Sequence, residues 1–332
     1  MKPVVFIHTS CHEILAAKVA AYSHMVFSQN TDKFDIKIIQ IEDYPEFTKH
    51  HGQEIIRSGK EGQWYKDVPQ SFLPLRFIVP QLMGFQGKAV LTDPDIFAVA
   101  DIYELFQKDM QGKAILSRKI GTGIPGYNSS VMLFDCEKMS HWKWQEMIDG
   151  VFSKKIDLQD LITLRTEAVE TIGKLEEEWN HYDTLNNQTK LLHNTRQITQ
   201  PWKTGLPYRE ENLNNYNKSK NKVNYVKKIM RYRGKGKKAV LKAIINVFLY
   251  GEPALYLKHP DDRQEELFLA FLKEGLESGF IESQLIETEI KAGHIRTDMF
   301  KLLNCSFRKP SEIISEIKNT ASGTTQSNIL VN

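Results

Sequence analysis

Short, nearly continuous apolar runs recur along an otherwise polar chain: Val4 to Ile7, Phe34 to Ile41, Ala89 to Leu91, Ala114 to Ser117, and Val131 to Phe134. Runs of this kind suit strands buried on both faces, as in a sheet covered by helices. Between them the spacing becomes helical. Ala16, Ala17, Val19, Ala20 and Met25 share one face after the first run, with Ser10 as the expected N-cap and Glu13 at capping-box distance. Phe72 to Met83 repeats the helical spacing, with Arg76 on a mostly apolar segment, and Trp142 to Val151 does so again before Ile156 to Ile162. Residues 43 to 70 show no period and read as an irregular insertion. Strands alternating with helices predict an α/β fold.

The second half has a different texture. Leu267, Phe268, Phe271, Leu272 and Leu276 mark one amphipathic helix, and a second is expected around Ile286 to Ala292. These predict a small helical module over residues 251–305, followed by a polar tail, 306–332, expected to fray. Before the module, residues 212 to 251 contain no acid but many bases, among them Lys218, Lys228, Arg231, Arg233 and Lys238. A one-sign block is most simply a solvated face. Next to Ile229, Met230, Val240 and Ile244 it also suits docking on an anionic membrane surface, which makes 211–250 a segment of its own. Nucleic acid is disfavoured, because no nucleic-acid module accompanies the bases.

With 332 residues, 41% of them hydrophobic, the chain has enough apolar material for an α/β core and an appended subdomain. No apolar run reaches membrane-spanning length, and the polar-ended stretch from Met1 to His8 is too short for a signal peptide. Cys11, Cys136 and Cys305 have neither disulfide nor metal spacing. The expected compartment is the cytoplasm, with the basic block allowing a peripheral position on the cytoplasmic face of a membrane.

The chemistry-bearing stretch follows the run Ala89 to Leu91, where Asp93-Pro94-Asp95 ends the strand. Pro94 fixes its own φ and biases Asp93 towards an extended conformation, so the two acids stand in a stiff, open geometry. An acidic turn explains this as well as a divalent-cation site does. Thr9 and Ser10 lie beyond the first strand, where ligands of open α/β folds sit.

Upstream stands Leu75-Arg76-Phe77-Ile78-Val79-Pro80, and downstream Asp101-Ile102-Tyr103-Glu104-Leu105. Further on come Tyr127-Asn128-Ser129-Ser130-Val131-Met132, Gln159-Asp160, Trp179-Asn180, His193 after Lys190-Leu191-Leu192, and Pro201-Trp202. This ordered set resembles the family 8-like glycosyltransferases of GT-A fold over roughly residues 3 to 205. The resemblance implies a nucleotide-diphospho-sugar transferase domain over 1–210, built on a single mixed sheet flanked by helices. It implies a metal-dependent hexosyltransferase that moves a sugar, with retention, from a UDP-sugar donor to a saccharide or lipid-linked acceptor. Asp93, Asp95 and His193 would bind Mn²⁺ or Mg²⁺, and Thr9, Ser10 and Arg76 would bind the donor nucleotide, with Asp93 reaching it through the metal. Asn128, Gln159 and Asp160 would line the reacting face of the sugar.

The sequence also departs from the family pattern. Ser130 stands where glycine is usual, Arg196 replaces a glycine, and Gln200 replaces the lysine before Pro201. Lys203 is expected to supply that charge to the diphosphate. Two alternatives stay open: an Asp-x-Asp phosphatase with Asp93 as nucleophile, and a non-catalytic relative tethered to a membrane or polyanion by its basic segment.

Overall fold

The computed structural model describes residues 1–68, 70–121, 123–208 and 255–323. The expected basic segment, 211–250, and the chain beyond 323 lie outside the described residues.

Strand β1 (Val4–Thr9) passes through a 3-10 turn into α1 (Ile14–Val26), and β2 (Asp35–Gln40) follows. Helix α2 (Pro45–Thr48) precedes a hairpin of β3 (Glu54–Arg57) and β4 (Lys60–Gln63). A 3-10 stretch, Leu73–Ile78, runs into α3 (Val79–Leu82), then β5 (Lys88–Thr92), β6 (Ile96–Ala98) and α4 (Tyr103–Phe106). Next come β7 (Ile115–Lys119), β8 (Tyr127–Asp135), α5 (Trp144–Phe152) and α6 (Leu158–Ile162). The short strands β9 (Ile172–Lys174), β10 (His181–Tyr182) and β11 (Leu191–His193) complete this part. Helices α7 (Asp262–Glu277), α8 (Ser283–Ala292), α9 (Met299–Leu303) and α10 (Pro310–Gly323) follow.

The main sheet has the order β2-β1-β5-β8-β7-β9, and it is mixed, as expected: β2, β1 and β5 are parallel, whereas β8 is antiparallel to both β5 and β7. Two small sheets accompany it, β10-β11-β6 and the β3-β4 hairpin. The continuous apolar runs have the predicted cause. Val5, Ile7 and Val90 point into a core shared with α1, while Val4, Phe6, Ala89 and Leu91 point into the opposite core with Trp142, Trp144 and Ile148.

Several elements differ from the pattern-based expectation. The stretch 72–83 is no single helix: Leu73–Ile78 is a 3-10 stretch, and Pro80, which would lie inside a continuous helix, lacks the N–H that its ladder needs. Residues 54–63, expected to be irregular, form a hairpin whose two-residue turn, Ser58-Gly59, has φ of 55° and 70°. The expected frayed tail contains α10, whose Ile313, Ile314 and Ile317 are buried in the same core as α7. That core also takes in Leu267, Phe268, Phe271 and Leu272 together with Val5 and Ile7, so the helical module packs onto the α/β part as one hydrophobic unit. Among the described residues no helix is long and apolar enough to cross a membrane.

Candidate active site

Strand register assembles the site. Pairing of Ile7 with Thr92 in β1 and β5 puts the next residues, His8 and Asp93, side by side at the carboxyl ends of the parallel strands. Thr92 pairs with Val131 on the other side, and the Asp93 amide donates to the Ser130 carbonyl at 3.0 Å, which brings in the start of β8. After Pro94 the chain leaves the main sheet and enters β6. There His193 of β11 lies opposite Ile96, and the Asn194 amide donates to the Asp95 carbonyl at 3.0 Å. Asp93-Pro94-Asp95 is therefore the joint between two sheets, and ligand atoms of Asp93, Asp95 and His193 all lie within 4.8 Å of one another.

Asp93 is clamped. Arg76 Nη2 donates to its two oxygens at 2.7 and 2.6 Å, and His8 Nε2 lies 2.6 Å from Oδ1. Arg76 is itself buried, and its Nη1 donates to Ser129 Oγ at 2.7 Å. Burial alone would raise the Asp93 pKa. The Arg76 charge and the His8 hydrogen bond outweigh it and hold the carboxylate at about 2. Burial pushes His8 down, against the pull of Asp93, which favours the neutral ring. Arg76, expected to touch the nucleotide, thus spends its donors mainly on Asp93 and Ser129.

Asp95 is less tightly held. Its Oδ1 lies 3.3 Å from His193 Nε2, and Gln200 Nε2 donates to Oδ2 at 3.2 Å. His193 is held from behind: Nδ1 lies 2.8 Å from Asn180 Oδ1, while Asn180 Nδ2 donates to Ser130 Oγ at 2.9 Å. Ser130 in turn donates to Asn128 Oδ1. With Nδ1–H donating to Asn180, Nε2 faces Asp95, to which it donates when protonated and beside which it offers a lone pair to a metal ion once that proton is lost. Burial opposes the imidazolium, but Asp95 and Asp93 prevail and the His193 pKa is raised.

These side chains fit a divalent ion. Two carboxylates and one imidazole are a donor set for Mn²⁺ or Mg²⁺, the nitrogen favouring Mn²⁺. A carboxylate has about four acceptor positions, and the two Arg76 contacts and one His8 contact leave Asp93 one of them. A carboxylate so held is a poor nucleophile, which counts against the phosphatase alternative.

A cleft of about 340 Å³ opens over this group. Arg76, Asp93, Asp95, Asn128, Gln159 and His193 line it, so six of the expected site residues converge. Four do not. Thr9 and Ser10 are fully buried: Thr9 Oγ1 donates to the Ser10 carbonyl at 3.1 Å, and Ser10 makes no side-chain cap bond. The capping box fails because Glu13 turns the other way, accepting from Trp202 Nε1 at 3.0 Å and from Lys203 Nζ. Lys203, expected at the diphosphate, is buried in that ion pair. Asp160 faces out and pairs with Arg165 at 2.8 Å.

The cleft also contains residues that the sequence did not single out. Arg57 comes from the unexpected hairpin, and Gln70 also lines the cleft. His8 and Asn180 act from behind it. Asn180 carried a signal, since it stands in the Trp-Asn pair, but its contact with His193 depends on a pairing across β10 and β11.

No protein-family model matches the sequence, and no curated protein does. Solved structures do show similarity in the course of the chain. The glycosyltransferase GlyE of Streptococcus pneumoniae TIGR4 matches 61% of this chain at 16% identity with a TM-score of 0.44. That match spans 56% of the GlyE chain. The galactosyltransferase LgtC, solved with donor and acceptor sugar analogues, matches 62% of this chain and 90% of its own at 12% identity, TM-score 0.42. Mouse xyloside xylosyltransferase 1 matches 59% of this chain and 98% of its own at 14% identity, TM-score 0.41.

Proposed function

We propose that the chain is a metal-dependent glycosyltransferase of the family 8-like type, moving a sugar with retention from a UDP-sugar donor to a saccharide or lipid-linked acceptor. One observation carries this reading: the sheet joint Asp93-Pro94-Asp95 meets His193, from 98 residues along the chain, to make an oxygen, oxygen and nitrogen set at the floor of a cleft. A bound Mn²⁺ or Mg²⁺ would neutralise the charge that develops on the leaving diphosphate.

The chain's own residues do the rest. Arg76 and His8 keep Asp93 ionised and fixed. Asn180 keeps His193 Nε2 directed at the site. Asn128 and Gln159, uncharged amides on the cleft wall, orient sugar hydroxyls without competing for the metal. In this reading Asp160, Thr9, Ser10 and Lys203 support the fold around the cleft instead of touching the sugar.

The test is UDP release from a panel of UDP-sugars with and without Mn²⁺, comparing the intact protein with Asp95→Ala. Mn²⁺-dependent release that disappears in the variant is expected. Absence of both turnover and Mn²⁺-dependent UDP binding would overturn the reading.

A further inference from the structure

A buried amide beside Asp95 uses one of its two ends. We propose that the side-chain oxygen of Gln200 is a fourth protein ligand to the divalent ion that Asp93, Asp95 and His193 would hold. The inference rests on the metal-dependent transferase reading and adds a residue to its site.

Gln200 is set in place by its neighbours. Pro201 follows it and restricts it to extended backbone, observed at φ −64° and ψ 122°. Trp202, one residue further, is buried against Phe97 and Phe268 with ring centroids at 5.9 and 5.0 Å, and its Nε1 donates to Glu13. The Lys203 amide closes the turn by donating to the main-chain carbonyl of Gln200 at 3.0 Å. The side chain is thereby held against the metal group. Gln200 is 3% exposed, lines the cleft, and donates from Nε2 to Asp95 Oδ2 at 3.2 Å. Oε1, on the same carbon as that nitrogen, is buried and has no hydrogen-bond partner among the described residues.

Three other amide oxygens on the cleft wall are already in use. Asn128 Oδ1 accepts from the Ser130 amide at 2.8 Å and from Ser130 Oγ. Gln159 Oε1 accepts from Arg57 Nε at 3.3 Å, and Gln70 Oε1 lies 3.5 Å from Arg57 Nη1. Gln200 differs. With one hydrogen bond and none on its oxygen, its amide is not locked, and rotation about the last side-chain bond exchanges the two ends. The N–H end suits a bare carboxylate, whereas a carboxylate carrying a cation favours the carbonyl end. Mn²⁺ and Mg²⁺ take about six ligands, and one atom each from Asp93, Asp95 and His193 leaves about half of them open. An amide carbonyl is an ordinary ligand for such hard ions. Being neutral, it adds an oxygen and leaves the ion's remaining charge for the leaving diphosphate.

Mn²⁺ titrated calorimetrically into the nucleotide-free protein tests this, together with a count of the waters on the bound ion by water-proton relaxation. Gln200→Met removes the oxygen at similar length. Its Mn²⁺ affinity is expected to fall at least about tenfold, the scale on which even an outer partner of a metal ligand counts, and its bound ion should carry one more water than in the intact protein. Unchanged affinity overturns the proposal, as does a fall in affinity with an unchanged water count, which would make Gln200 only a support for Asp95. Weaker UDP binding with unchanged Mn²⁺ binding also overturns it and points to a phosphate contact, leaving the transferase reading in place. If the intact protein binds no Mn²⁺, the parent reading fails and this one with it. Gln200→Glu keeps an oxygen at the same reach and serves if the methionine variant does not fold. The same water count as in the intact protein is then expected, and one water fewer would show that the carboxylate has entered a position Gln200 does not fill, which overturns the proposal.

Discussion

Asp93 and Asp95 are separated by one residue, yet they belong to two differently built neighbourhoods. Asp93 ends a strand of the main sheet, and Arg76 and His8 occupy three of its roughly four acceptor positions. Asp95 opens the small sheet, faces His193 at 3.3 Å and accepts from Gln200. The first is part of the fold's own charge balance, whereas the second is held ready for something else. Two acids that look equivalent in an Asp-x-Asp motif thus carry unequal shares: Asp93 ties the fold together and offers one acceptor position to the site, whereas Asp95 is held mainly for the site.

Substitution should separate the two roles. Asp95→Ala is expected to abolish metal-dependent turnover while the midpoint of unfolding in denaturant hardly moves. A large loss of stability in this variant would erase the distinction. Asp93→Ala leaves the Arg76 guanidinium buried without its carboxylate, so a loss of about 3–5 kcal/mol of stability is expected. The double variant Arg76→Met/Asp93→Ala should recover much of it, as measured by the same denaturant titration. If the double variant is no more stable than the single one, the clamp account fails.

Smaller effects sharpen the same contrast. Asn180→Ala removes the hydrogen bond behind His193, and Mn²⁺ affinity should fall about 10- to 100-fold with little change in stability. All these measurements belong above pH 6.5, for a reason outside the cleft. His24 is fully buried with no partner for either ring nitrogen among the described residues, and burial pushes its pKa down to about 3. The unfolded chain takes up a proton near pH 6.5 that the folded chain refuses. Stability is therefore complete above that pH and declines as pH falls towards 3, by about 2 kcal/mol at pH 5. His24→Leu should flatten that part of the pH–stability curve, and an unchanged curve would show that another group controls it.

The sequence was most informative where burial is two-sided. Val4 to Ile7 and Ala89 to Leu91 could be read as strands because both faces need apolar residues, and Asp93 and Asp95 were conspicuous for ending such a run. It was least informative where a side chain has several partners to choose from. Ser10 and Glu13 have capping-box spacing, but Trp202 and Lys203, distant in sequence, offer Glu13 stronger partners. Likewise Asp160 chose Arg165 at the surface. The hairpin was missed although Ser58-Gly59 is a turn signal, because the flanking strands are short and only Ile55 is fully buried. For α10, the triple Ile313, Ile314 and Ile317 already had helical spacing, but the surrounding polarity masked it.

The joint at Pro94 also makes the site an inspection point for folding. His193 reaches Asp95 only when β11 pairs with β6 in one register, and side chains alternate along a strand. A slip of one residue would present Leu192 or Asn194 instead and turn the imidazole to the opposite face. The intervening chain includes β7, β8 and β9, half of the main sheet. A molecule whose sheet has been assembled out of step therefore lacks its third ligand, and titration with Mn²⁺ in solution should distinguish correctly folded chains from compact but misregistered ones.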